Sequence, residues 1–209
     1  MVGRQNAEIE DHPYQLSFEV DNWRFCGAFL IRPNVAVTAA HRIWKCKLRA
    51  GSNLLHEGGQ VAKVFKICSH PKFDINTIDY DVSVILLDEP LVLGAGVQTI
   101  PLQSVNEEIP TGTVATFTGW GRIRKDECVE LYSHHNATVT NRMICFGYTE
   151  GGKDACEFDT GGPLVINGML VGVVSWGIGC AERNQPGVYT KISHPEINSH
   201  INECLAKFE

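Results

Sequence analysis

The sequence predicts an all-β protein, a sandwich or barrel of short strands, and three observations carry that reading. Apolar or alternating runs recur over residues 25–31, 35–40, 82–87, 113–118 and 170–176, each the length of a strand rather than a helix. Turn residues separate them at Arg32-Pro33-Asn34, Gly58-Gly59, Pro110-Thr111-Gly112, Gly151-Gly152, Asn167-Gly168 and Gln185-Pro186-Gly187. Glycine and asparagine tolerate the left-handed backbone of tight turns, and proline presets φ. Only the end of the chain, from about residue 194 to 208, reads as helix, because Ile197, Ile201 and Leu205 fall on one face. The stretch 88–105, rich in Pro, Gly and Leu, is the candidate crossing between two halves.

The 209 residues, 44% hydrophobic and 20% charged, suit one compact unit or two sub-barrels sharing an interface. A formal net charge of -6, without a run of Lys or Arg, argues against nucleic acid and against an electrostatic membrane anchor. No apolar run is long enough to span a bilayer. Eight cysteines, scattered rather than set in CxxC pairs, point to disulfides formed in an oxidising compartment and away from zinc. Nothing after Met1 resembles a signal peptide, so the expectation is the mature form of a secreted, extracellular protein. The acceptor triplet Asn136-Ala137-Thr138 is compatible with that route.

Three segments carry chemistry. Thr38-Ala39-Ala40-His41 is a small-residue turn ending in histidine. Asp79-Tyr80-Asp81 opens the apolar run at 82–87. The third runs from Gly151 through Asp154, Cys156, Phe158 and Asp159 to Thr160-Gly161-Gly162-Pro163. Taken singly, each has an ordinary structural reading. Together, in the order His, Asp, hydroxyl, they resemble the chymotrypsin-type serine proteases. Ser175-Trp176-Gly177-Ile178-Gly179-Cys180, Gln185-Pro186-Gly187-Val188-Tyr189, Thr118-Gly119-Trp120-Gly121 and Val2-Gly3 are similar to further landmarks of that family.

The resemblance implies two six-stranded antiparallel β-barrels with a C-terminal helix. Residues 12–103 would form the first barrel and 104–209 the second barrel with the helix. Residues 1–11 would dock on the second barrel. In that family a histidine takes the nucleophile's proton, a buried aspartate fixes its tautomer, and two backbone N–H groups stabilise the oxyanion. His41 and Asp81 match the base and the orienting acid, and Thr160 stands where the family has its nucleophilic serine. Asp154, Ser175, Gly177 and Gly187 match the specificity pocket, with Asp154 the acid that selects Lys or Arg. Asp159 matches the acid that pairs with the N-terminal ammonium, here that of Met1. The resemblance implies the disulfides Cys128–Cys145 and Cys156–Cys180; Arg42 stands where the family has the partner of Cys26, so Cys26–Cys46 is the expected substitute, and Cys68–Cys204 is paired as the remainder. Glu57 is the only acid in the stretch where the family's calcium loop would lie, so no metal is expected, and no cofactor.

Two departures shape the functional expectation. Thr160 adds a methyl group and is stiff at χ1. Phe158 replaces a glycine whose N–H forms half of the oxyanion hole. Together they predict a catalytically inactive, monomeric homologue that binds other proteins. The resemblance to the inactivated protease paralogues of the scabies mite implies host plasma or complement proteins as partners. The alternative is a weakly active trypsin-like endopeptidase that uses Thr160 as nucleophile. The interval from Gly121 to Cys128 is also short for a family with a loop and a full barrel strand there, and losing that strand would leave sheet edges unpaired.

Overall fold

The computed structural model describes residues 7–20, 23–43, 47–54, 56–115, 125–135, 137–147, 150–151 and 159–209. Six antiparallel strands, β1 (Gln15–Val20), β2 (Trp23–Arg32), β3 (Val35–Thr38), β4 (Lys47–Ala50), β5 (Gln60–Ser69) and β6 (Ser83–Leu87), close into a barrel in the order β1-β2-β3-β6-β5-β4. Successive side chains of a strand point to opposite faces. Leu16 and Phe18 of β1, Ala28 and Leu30 of β2, and Leu48 and Ala50 of β4 therefore fill the barrel, together with Ala36, Ala62 and Ile85. Phe29, Val35, Val37 and Val84 point the other way and are just as buried. They meet Val165, Leu170 and Val173 from the second half of the chain in a shared core. Burial on both faces is why β2 and β3 read as unbroken apolar runs.

The second half holds an antiparallel sheet of β7 (Met143–Phe146), β8 (Pro163–Ile166), β9 (Met169–Trp176) and β10 (Gly187–Lys191), in the order β7-β10-β9-β8. A two-barrel fold of the chymotrypsin type fits this arrangement, although among the described residues the second half contributes four strands. The run at 113–118 forms no strand over 113–115, and 116–118 lie outside the described residues. The crossing segment stitches the halves together. Its Ile100 N–H donates to the Leu30 carbonyl of β2 at 2.9 Å, and its Gln103 N–H donates to the Leu170 carbonyl of β9 at 2.9 Å.

The expectation of a single helix is corrected, because α1 (Lys125–Ser133) precedes β7. Cys128 and Tyr132, one turn apart, supply its fully buried contacts, and a disulfide ties Cys128 to Cys145 of β7. Two buried positions among the seven side chains described, 127–133, give too weak a periodicity to read from sequence. The terminal helix α2 (Pro195–Lys207) is better specified. Pro195 occupies its first turn, the His194 ring accepts the Glu196 N–H at 3.3 Å, and Lys207 lies in its last turn. Ile197 and Ile201 bury completely against the shared core, and Cys204 is bonded to Cys68 of β5. Cys180 is disulfide-bonded and Cys26 is buried. Their expected partners, Cys156 and Cys46, lie outside the described residues.

Candidate active site

Register brings the first two site residues together. β3 and β6 are antiparallel neighbours with Thr38 opposite Ser83. His41, three residues past Thr38, and Asp81, two residues before Ser83, therefore emerge at the same rim of the barrel. The small Ala39, fully buried, lets the chain turn into the 3-10 turn Ala40–Arg42 that carries the histidine. Asp81 is 1% exposed and its carboxylate is well satisfied. Oδ1 accepts the His41 backbone N–H at 3.0 Å, while Oδ2 lies 2.8 Å from His41 Nδ1 and accepts the Ser175 hydroxyl at 2.6 Å. The Thr190 hydroxyl donates to the Asp81 carbonyl at 2.8 Å. An ionised carboxylate only accepts, so a neutral His41 carries its proton on Nδ1 and turns a basic Nε2 outward.

Thr160 is placed by its backbone. Its carbonyl accepts the Gly27 N–H of β2 at 2.8 Å. The next residue, Gly161, donates to the Val174 carbonyl of β9 at 2.8 Å, and Val174 donates in turn to the Gly162 carbonyl at 2.9 Å. The segment is thus pinned across the seam between the halves. Thr38 Oγ1 donates to the carbonyl of the same Gly27 at 2.8 Å, which links the strand leading to His41 with the strand seating Thr160. Gly161 has φ +82, and a Cβ there would lie 2.1 Å from Thr38 Oγ1 and 2.4 Å from the Gly27 carbonyl. Only glycine fits.

The other expected site residues fall as follows. Ser175 donates its hydroxyl to Asp81, a contact with the orienting acid that sequence reasoning missed. Gly177 and Gly187 lie face to face, since a Cβ on Gly177 would sit 3.9 Å from the Gly187 Cα, and two glycines there leave a slot between neighbouring backbones. Asp159 is buried at 5% exposure, and its carbonyl accepts the Gly162 N–H at 3.0 Å. Met1, Asn136, Asp154 and Phe158 lie outside the described residues.

A buried acid bonded to an imidazole, with a hydroxyl residue in the neighbouring segment, is the order of groups found in a Ser-His-Asp arrangement. The sequence comparisons agree. The family model described as Trypsin matches residues 1–199, and the chain belongs to the trypsin family. It is similar to a trypsin of Simulium vittatum, at 39% identity over 90% of this chain and 87% of the relative. It is also similar to a trypsin of Phaedon cochleariae, at 36% over 97% of this chain and 87% of the relative. A trypsin of Sus scrofa shares 36% identity over 92% of this chain and 90% of its own length. The Simulium alignment spans 216 positions, more than the 209 residues of the chain, so that relative carries residues this chain lacks.

These relatives overturn the expectation of an inactive chain, because they carry the name of an active protease over nearly the whole of it. The inactive reading gave two residues too much weight. A lost oxyanion donor costs about 10²–10³ in turnover, against enzymatic rate enhancements of at least about 10⁶. The His41–Asp81–Ser175 arrangement is intact. The binding role toward complement depended on inactivity and is not carried forward.

Proposed function

We propose that this chain is a trypsin-like endopeptidase of reduced rate, with Thr160 as nucleophile and a preference for cleavage after Lys or Arg. The observation that carries this reading is the Asp81 carboxylate, buried and bonded at once to His41 at 2.8 Å and Ser175 at 2.6 Å. An isolated structural histidine does not call for a buried acid with three donors.

In this reading Thr160 Oγ1 attacks the scissile carbonyl while its proton passes to His41 Nε2, and the imidazolium is stabilised by Asp81. His41 then returns the proton to the leaving amine, and an acyl ester remains on Thr160. Water attacks that ester, again giving its proton to His41, which passes it to Thr160 Oγ1 as the acid product leaves. The γ-methyl of Thr160 restricts χ1 and slows the first step. Asp154, by its match to the family's pocket acid, attracts the cationic side chain of the substrate. The disulfides support secretion into an oxidising compartment.

The test is hydrolysis of a panel of amide and ester substrates by the purified, oxidised protein. The expected result is turnover of Lys and Arg substrates ahead of all others, abolished in Thr160→Ala and in His41→Ala. Equal rates in the parent and Thr160→Ala would overturn the proposal.

A further inference from the structure

The backbone that presents Asp81 is unusual. Ile78 and Tyr80 both adopt left-handed φ, 51 and 55, where among the described residues glycine and asparagine hold most such positions. A β-branched or aromatic residue does not stay there without outside support. The Tyr80 carbonyl then accepts the Val82 N–H at 2.8 Å, closing a three-residue turn centred on Asp81. The direction of the Asp81 side chain is therefore set by the peptide that Tyr80 holds.

Tyr80 is half-buried and held by several side chains. Its ring stacks on His70 with centroids 4.5 Å apart, and the Arg142 guanidinium carbon lies 4.6 Å from its centroid. Lys72 Nζ is 5.4 Å from that centroid, and the Tyr80 hydroxyl donates to Glu196 Oε2 at 2.9 Å. Glu196, in the first turn of α2, also takes Lys72 Nζ at 2.6 Å. Arg142 is fixed in turn by Asp79. Its Nε donates to both Asp79 oxygens at 3.0 Å, and its Nη2 donates to Oδ2. Asp79 Oδ1 additionally accepts the Thr140 hydroxyl at 3.1 Å and the Tyr80 N–H at 2.8 Å. Arg142 comes from the turn before β7, in the opposite half of the molecule.

We propose that Tyr80, Arg142 and Asp79 form a clamp that positions Asp81, so that the orienting acid of the first barrel is aimed by a guanidinium supplied from the second half. These are positioning residues acting through the Tyr80–Asp81 peptide. None of them touches His41 or Thr160 in the contacts described. The inference rests on the proposed activity for its kinetic consequence, but its structural consequence can be read without turnover.

The experiment compares the parent with Tyr80→Ala, Tyr80→Phe, Arg142→Ala and Arg142→Lys by two readouts. The first is kcat and KM on a lysine amide, per folded molecule. The second is the low-field proton resonance of His41 Nδ1–H in the resting protein, which reports its bond to Asp81. Tyr80→Ala and Arg142→Ala are expected to lower kcat by about tenfold to a hundredfold with KM unchanged, the effect of a small misplacement of a catalytic group. Both should also displace or broaden the His41 resonance. Tyr80→Phe loses only the hydrogen bond to Glu196 and keeps the ring between His70 and Arg142, so its fall in kcat and its change in the resonance should be smaller than those of Tyr80→Ala. If the alanine variants do not fold, Arg142→Lys keeps the charge without the two-oxygen grip and should lower kcat by about threefold. Variants with a lower melting temperature but an unchanged kcat and His41 resonance would overturn the proposal. If the parent shows no turnover, the proposed function fails, and the resonance alone then decides the clamp: displaced supports it, unchanged overturns it.

Discussion

Asp81 and Thr160 face the same seam but are held in different ways. Asp81 is fixed through its own side chain: its oxygens take the His41 main-chain N–H, the His41 ring and the Ser175 hydroxyl, and its approach is governed by Tyr80 and Arg142. Thr160 is fixed by main chain, through the Gly27 N–H on its own carbonyl and the paired Gly161–Val174–Gly162 hydrogen bonds beside it. A residue seated by its backbone keeps its Cα when its side chain changes. A serine-to-threonine exchange at that place therefore alters the rotamer of one hydroxyl and leaves the seat intact. An exchange at Asp81 would remove the acceptor on which its neighbours depend. The same difference explains why a threonine at position 160 need not disturb the His41–Asp81–Ser175 network.

The contrast can be broken most severely at Asp81. Asp81→Asn should lower kcat by about 10⁴, the size of effect this change has in a chymotrypsin-type triad, with the melting temperature close to that of the parent. Steady-state kinetics on a lysine amide would check it, and a loss below about tenfold would mean that Asp81 does not orient His41. Gly161→Ala attacks the backbone-held side. Its Cβ would meet Thr38 Oγ1 at 2.1 Å at a left-handed φ, so a stability loss of roughly 3 kcal/mol or more is expected in denaturant unfolding.

Thr160→Ser sharpens the comparison in the other direction. It removes the methyl without touching the hydrogen bonds that seat the residue, so kcat should rise by about tenfold with unchanged stability. A fall in kcat would show that the seat is shaped around threonine. The smallest effect concerns pH. Burial, and then the neighbouring His200, hold the His70 imidazole down to about 4, and burial lowers His194 and His200 as well. The unfolded chain therefore binds more protons than the folded one below the ordinary histidine value of about 6.5, and stability must fall as pH drops from there toward 4. Melting temperatures across that window would test this, and a smaller slope is expected in His70→Gln.

Much of the frame was legible because local chemistry and tertiary position agree. β2, β3 and β9 read as apolar runs because they are buried on both faces. Asn167-Gly168 reads as a turn because both residues adopt positive φ, 50 and 75, between β8 and β9. β5 was hidden by its outer face, where Phe65 is 71% exposed among lysines, so neither alternation nor an apolar run survives. α1 was hidden because a disulfide and Tyr132 hold it rather than an amphipathic stripe. In the site, His41, Asp81 and Thr160 stand in short motifs. Arg142 and Ser175 reach the Asp79–Asp81 segment across 63 and 94 residues of sequence, and no local pattern announces such a contact.

The central claim is that Thr160 is a working nucleophile, and the most direct measurement is covalent capture. The oxidised protein is treated with a sulfonyl fluoride that carries a lysine-like cation, and the adduct is located by intact mass and peptide mapping. One adduct per chain, on the peptide containing Thr160 and in step with the loss of hydrolysis, is the predicted result. Hydrolysis that persists without any adduct on Thr160 would contradict the account.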